Sequence, residues 1–168
     1  MLKSSDVVGK PVLRKEIDKK TEAIQDIIFD PEAKRILGFV VDEGGWFKEA
    51  RIILWEGIER IDDMGVSLLS EKHLIPANYA PPIKEMMEQG NTLFQTKVIT
   101  TTGEEVGQLA DVYFSEITGE VEGFDVAGPE AQTADELIFV PISIITEMNR
   151  NVVVINGAVA DVLDWTGA

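Results

Sequence analysis

Residues 24–41 of this chain return, without a gap, as residues 109–126. Ile24-Gln25-Asp26-Ile27-Ile28-Phe29 and Gly38-Phe39-Val40-Val41 correspond to Leu109-Ala110-Asp111-Val112-Tyr113-Phe114 and Gly123-Phe124-Asp125-Val126. Identity holds at Asp26/Asp111, Phe29/Phe114, Gly38/Gly123, Phe39/Phe124 and Val41/Val126, all at one offset of 85 residues. A fixed offset of that size implies a duplicated small domain rather than a solenoid of short units. Each copy then has roughly 70–80 residues, near the size below which a single core barely sustains a fold. The two copies are therefore expected to pack on one another, or the chain to dimerise.

The apolar spacing within each copy points to strands. Residues 23–29, 35–41 and 51–55 are short, rich in β-branched and aromatic side chains, and separated by turn residues. Asp30-Pro31-Glu32-Ala33-Lys34 and Glu116-Ile117-Thr118-Gly119-Glu120 occupy matching connections. Pro31 brings no ladder donor, and Gly119 tolerates backbone that other residues avoid. Ile24, Ile27, Phe29 and Leu109, Val112, Phe114 step by three and then by two, so each strand changes phase once. Val121, Phe124 and Val126 do the same around Gly123, which predicts a β-bulge there and at Gly38.

Beyond the loops at 42–50 and 127–136 the aliphatic runs align at an offset of 86. That pairs Ile52-Ile53-Leu54 with Ile138-Phe139-Val140, Trp55 with Pro141, Ile58 with Ile144, and Val66-Ser67-Leu68 with Val152-Val153-Val154. The expected fold is all-β: two tandem small antiparallel barrels of about six strands each. Residues 1–72 form the first and residues 92–168 the second, with its tail. Residues 73–91 read as a semi-rigid linker. A short helix lies between Pro82 and Gly90, with Ile83, Met86 and Met87 as its apolar stripe. The tail from Ala158 to Trp165 reads either as a last helical turn or as an edge strand.

Composition removes several chemistries. With no cysteine, disulfides, thiolate zinc sites and thiol catalysis are excluded. The first residues lack an uninterrupted apolar core, and no run approaches roughly 18 apolar residues, so a soluble cytoplasmic protein is expected. The formal charge of −15 is uneven. Residues 92–168 carry only Lys97 and Arg150 against 13 acids, while residues 1–72 carry 12 Lys/Arg against 15 acids. Such a second half repels phosphate backbones, disfavouring direct nucleic-acid binding and leaving basic proteins or cations as partners. Solubility alone accounts for the charge more simply.

No catalytic, cofactor or metal residues are assigned. His73 is the only histidine and falls in the linker, where a solvated side chain is expected. Glu104-Glu105, Asp62-Asp63 and Asp135-Glu136 are paired acids without the spacing of a calcium loop. Asp26 and Asp111 sit amid apolar neighbours at the phase change, where a carboxylate would accept backbone N–H groups released by the irregularity. The candidate protein-interaction loop is Gly44-Gly45-Trp46-Phe47, a turn with a large apolar payload. Its alternative is to fold back over a barrel end or the other repeat. Gly128-Pro129-Glu130-Ala131 stands there in the second copy, so any binding role would be asymmetric.

Together, Asp6-Val7-Val8-Gly9-Lys10-Pro11-Val12, residues 24–30, Ile36-Leu37-Gly38-Phe39-Val40-Val41 and their second-half counterparts resemble the PRC-barrel family. Those counterparts are residues 109–114, residues 121–126 and Leu137-Ile138-Phe139-Val140-Pro141. The run from Leu37 to Phe47 is similar to the version in cyanobacterial and related bacterial stand-alone members. The resemblance implies small β-barrels that work by protein contact. The family includes the cytoplasmic part of the photosynthetic reaction-centre H subunit and a domain of ribosome maturation factors, and brings no shared catalytic residues. It points to a non-enzymatic interaction or scaffold protein, possible as a homodimer. The alternatives are an assembly factor for ribosomal or photosynthetic complexes, and a small-ligand or cation sensor with a pocket between the repeats.

Overall fold

A computed structural model describes residues 1–14, 22–42, 44, 48–88, 96–129 and 136–157. Strand β1 (Leu2–Lys3) and the single-turn helix α1 (Ser4–Val7) open the chain. They are followed by β2 (Val12–Leu13), β3 (Asp26–Asp30), β4 (Arg35–Asp42), β5 (Arg51–Leu54), β6 (Ile58–Asp62), β7 (Gly65–Leu68) and β8 (Leu74–Pro76). Helix α2 (Pro81–Glu88) leads to β9 (Lys97–Thr100), β10 (Glu105–Phe114), β11 (Val121–Ala127), β12 (Leu137–Pro141), β13 (Ile145–Met148) and β14 (Val152–Ile155). The protein is mostly β, and β2–β7 and β9–β14 give each half six strands.

These strands form three sheets, ordered β2-β7-β6, β3-β4-β5-β8 and β12-β11-β10-β9-β14-β13, with β1 added beside β10. None of the three closes on itself among the described residues. The first half has two sheets where the second has one, because β10 is long enough to pair β11 at one end and β9 at the other.

Strand register settles how the copies correspond. In β6–β7 the partners are Ile58↔Leu68, Arg60↔Ser67 and Ile61↔Val66; in β13–β14 they are Ile145↔Ile155, Glu147↔Val154 and Met148↔Val153. Gly38↔Leu54 is likewise answered by Gly123↔Pro141. Every member after the loop is displaced by 87 residues rather than 86, so Pro141 answers Leu54 and Ile145 answers Ile58. Runs of Ile and Val look alike when slid by one position, but in a strand that slide turns each side chain to the opposite face.

The predicted bulges are present. Register shifts fall between Ile28 and Phe29, opposite Gly38, and between Tyr113 and Phe114, opposite Gly123. Both glycines are held by close approach: a Cβ on Gly38 would lie 2.1 Å from the Ile53 carbonyl oxygen, and one on Gly123 2.8 Å from that of Val140. The matching turns are also capped alike. Asp30 Oδ1 accepts from the Glu32 and Ala33 amides, and Ser115 Oγ from those of Ile117 and Thr118.

The two halves meet about a pseudo-twofold axis. Arg35 bridges Glu120, its own counterpart at the 85-residue offset. On either side, the Ile36 amide donates to the Gly119 carbonyl at 2.8 Å and the Val121 amide to the Lys34 carbonyl at 2.9 Å. Each bond maps onto the other. The rings obey the same operator: Phe29 meets Phe124 at 6.1 Å and Phe39 meets Phe114 at 6.5 Å. Phe29, Phe39, Phe114 and Phe124 are fully buried in one cluster that draws on both halves. The halves pack on one another so closely that they share one core, which relieves the shortage of apolar area in units this small.

The segment read as a linker also belongs to this body. Strand β8 pairs with β5 through Arg51↔Pro76, Ile52↔Ile75 and Ile53↔Leu74. Ile83 and Met87 of α2 pack over a second buried cluster of Ile28, Val40, Ile52 and Ala77. Met86, expected on the same stripe, lines a separate open pocket with residues of the 30–34 turn and the β13–β14 turn. His73 is not a solvated linker residue: it packs on Gly57, where an added Cβ would stand 2.5 Å from its own.

Candidate interaction surface

The face covered by α2 in the first half is polar in the second. Ile28, Val40 and Ile52 are replaced there by Tyr113, Asp125 and Phe139 at matching register positions. A carboxylate at a buried strand position needs donors, and the chain start supplies them. Strand β1 pairs with β10 through Leu2↔Phe114 and Lys3↔Tyr113. Lys3 Nζ then lies 2.9 Å from Asp125 Oδ2 and 5.0 Å from the Tyr113 ring centre. The Tyr113 hydroxyl donates to the same Oδ2 at 3.0 Å, and its ring meets Phe139 edge-on at 5.0 Å. The Tyr113 hydroxyl and the Asp125 carboxylate together hold the Lys3 ammonium above its usual range. Burial pushes the Tyr113 phenol up.

Asp111 completes this clip. Its Oδ1 accepts from the Val112 amide at 2.8 Å, as Asp26 Oδ1 does from the Ile27 amide at 2.8 Å. This is the role expected of a carboxylate beside an irregular strand. In addition the Ser4 and Ser5 hydroxyls both donate to Asp111, and the Ser5 amide does so at 3.2 Å. Leu2–Lys3 and Ser4–Val7 are thus fastened across the molecule to the other repeat. Sequence reasoning missed Lys3, Ser4 and Ser5. The signal available was the exchange of Val40 for Asp125 between the copies, a buried charge that calls for a cation.

Of the candidate loop, Gly44 is described, while Gly45, Trp46 and Phe47 lie outside the described residues. The loop springs from a tight turn. The Gly44 amide donates to Asp42 Oδ1 at 2.9 Å, and Gly44 has φ 80°, a left-handed conformation that suits glycine. Lys48 forms an ion pair with Asp42 across the loop base. That contact, with the Gly44 amide, holds the Asp42 carboxyl below its usual range.

A cavity of about 450 Å³ opens beside this base, lined by Asp26, Val40, Lys48, Glu49, Lys84 and Met87 among others. Lys84 Nζ pairs with Glu49 Oε1 at 3.1 Å across it. The cavity lies between the first repeat and α2. Lys48, also in its wall, is the partner of Asp42 at the loop base. Among the described residues no three His, Cys, Asp or Glu side chains gather at metal-binding distances, and no helix is long and apolar enough to cross a membrane.

The PRC-barrel domain matches twice, over residues 1–80 and 85–161. The chain belongs to the PRC-barrel domain family. Its two matches coincide with the two halves that the pseudo-twofold axis relates, and PRC-barrel domains are generally protein-interaction modules. The chain is also similar to an uncharacterized protein of Deinococcus radiodurans, with 40% identity over 47 residues. That stretch covers 28% of this chain and 17% of that protein.

Proposed function

We propose that this PRC-barrel protein is a non-enzymatic scaffold that presents two fused barrel-type units to a protein partner in the cytoplasm. The observation that carries the reading is the way its two PRC-barrel matches are joined. Four phenylalanines and two reciprocal backbone hydrogen bonds lock the repeats into one body. A rigid pair of interaction modules holds its surfaces at a fixed spacing, which lowers the ordering cost of binding. The buried carboxylates support the same view, since Asp111 and Asp125 are taken up by donors that fasten the chain start.

Affinity capture from native lysate at several salt concentrations, read by mass spectrometry, tests the proposal. A protein recovered in stoichiometric amount is expected. Recovery of none at any salt concentration would overturn it.

A further inference from the structure

The edge of β6 away from β7 carries no strand among the described residues. Beside it runs a cleft of about 320 Å³, walled by Trp55, Ile58 and Ile61 of the first repeat and by Glu116 and Ile117 of the second. Ile117 stands 84% exposed at the tip of the β10–β11 turn, although an isoleucine in water gains nothing from that position. Across the pseudo-twofold axis its counterpart is Glu32, an exposed acid, so the apolar tip belongs to one repeat alone.

Charge narrows what could fill the open groove. Glu56 and Glu59 are exposed and carry no ion pair among the described residues. Arg60, the one cation lining the cleft among the described residues, is compensated by Asp62 at 2.6 Å. Glu116 on the opposite wall already receives the Met1 ammonium at 2.7 Å, so the rim accepts a cation. An open strand edge offers backbone pairing, and alternate side chains of an added strand would reach the cleft and the acidic rim in turn.

We propose that an extended basic segment of a protein partner adds to the open edge of β6, seating an apolar side chain between Trp55, Ile61 and Ile117 while its lysines or arginines face Glu56 and Glu59. This rests on the scaffold reading and names the surface and the partner chemistry.

Selection of a random displayed 12-residue peptide library on the full chain tests it, with the enriched peptides then titrated by amide NMR. Enriched sequences are expected to alternate Lys or Arg with Ile, Val, Leu or Met. Their binding should shift amides at Ile58–Asp62 and Ile117 and should weaken as salt rises. Ile117→Glu should lower affinity by roughly tenfold or more, the scale of one anchor side chain, with the melting temperature unchanged. Four results would each overturn the proposal: acidic or no enrichment, shifts confined elsewhere, a helical bound peptide, or Ile117-dependent self-association of the chain. Capture from lysate with wild type and Ile117→Glu separates the two levels. Equal recovery of one partner by both removes this groove and leaves the scaffold reading. Recovery of nothing by either removes the scaffold reading too.

Discussion

Because the aromatic core is shared, truncating it in one repeat should loosen both. Phe124 meets Phe29 across the axis, whereas Phe39 meets both Phe114 and Trp55, at 6.5 Å and 6.3 Å. Both side chains are fully buried, so replacement by alanine should cost about 3–5 kcal/mol. One additional ring contact is worth about 0.5–1.5 kcal/mol beyond area. Phe124→Ala is therefore expected near 3 kcal/mol and Phe39→Ala nearer 4–5 kcal/mol. Against a total of about 5–15 kcal/mol, either change lowers stability severely without necessarily abolishing folding. Urea unfolding followed by tryptophan fluorescence and by amide exchange in both halves gives the answer. A single transition is expected, with exchange in residues 98–155 accelerated by Phe39→Ala and in residues 27–68 by Phe124→Ala. Two separate transitions, or a variant whose opposite half keeps its protection, would refute the shared core.

Three further outcomes can be checked. Asp111→Ala orphans the Ser4 hydroxyl and the Val112 amide and should cost roughly 2–4 kcal/mol, with deuterium exchange at residues 2–7 rising first; unchanged exchange there would refute the clip. Lys34 adopts φ 53° where its counterpart Gly119 has φ 74°, so Lys34→Gly should stabilise by about 0.5–1 kcal/mol, read as a higher urea midpoint. The folded pKa of Asp42 is depressed by Lys48 and the Gly44 amide. Its contribution is complete above the unfolded value of about 3.9 and is lost as pH falls through the lower folded value. Lys48→Met should raise the Asp42 midpoint in a carboxyl NMR titration, and an unmoved midpoint would show that the ion pair is not its cause.

Much of each repeat was legible in the chain because local signals and the copy agreed. The slip of Ile24, Ile27 and Phe29 from strict alternation marks the bulge, and Gly38 and Gly123 mark the close approach behind it. What failed to show was non-local. Ile52-Ile53-Leu54 fits Ile138-Phe139-Val140 as well as its true counterpart Phe139-Val140-Pro141, since aliphatic runs carry no register of their own until hydrogen bonds fix one. That Phe39 would touch Phe114 rather than only its own half depends on docking, which no spacing encodes. The clip of Ser4 and Ser5 on Asp111 joins residues more than a hundred positions apart. The cavity beside Lys48 and Lys84 depends on how α2 lies across β4. The interaction loop could be named, but Trp46 and Phe47 fall outside the described residues.

The bridge at the axis has a further consequence. In a dimer of identical subunits, a residue on the dyad must face itself, so arginine would meet arginine. Here Arg35 meets Glu120. Joining the copies in one polypeptide lifts that constraint: the Arg35 guanidinium donates to the Thr118 carbonyl at 3.1 Å, a contact that the carboxylate of Glu120 cannot return from the other side of the seam.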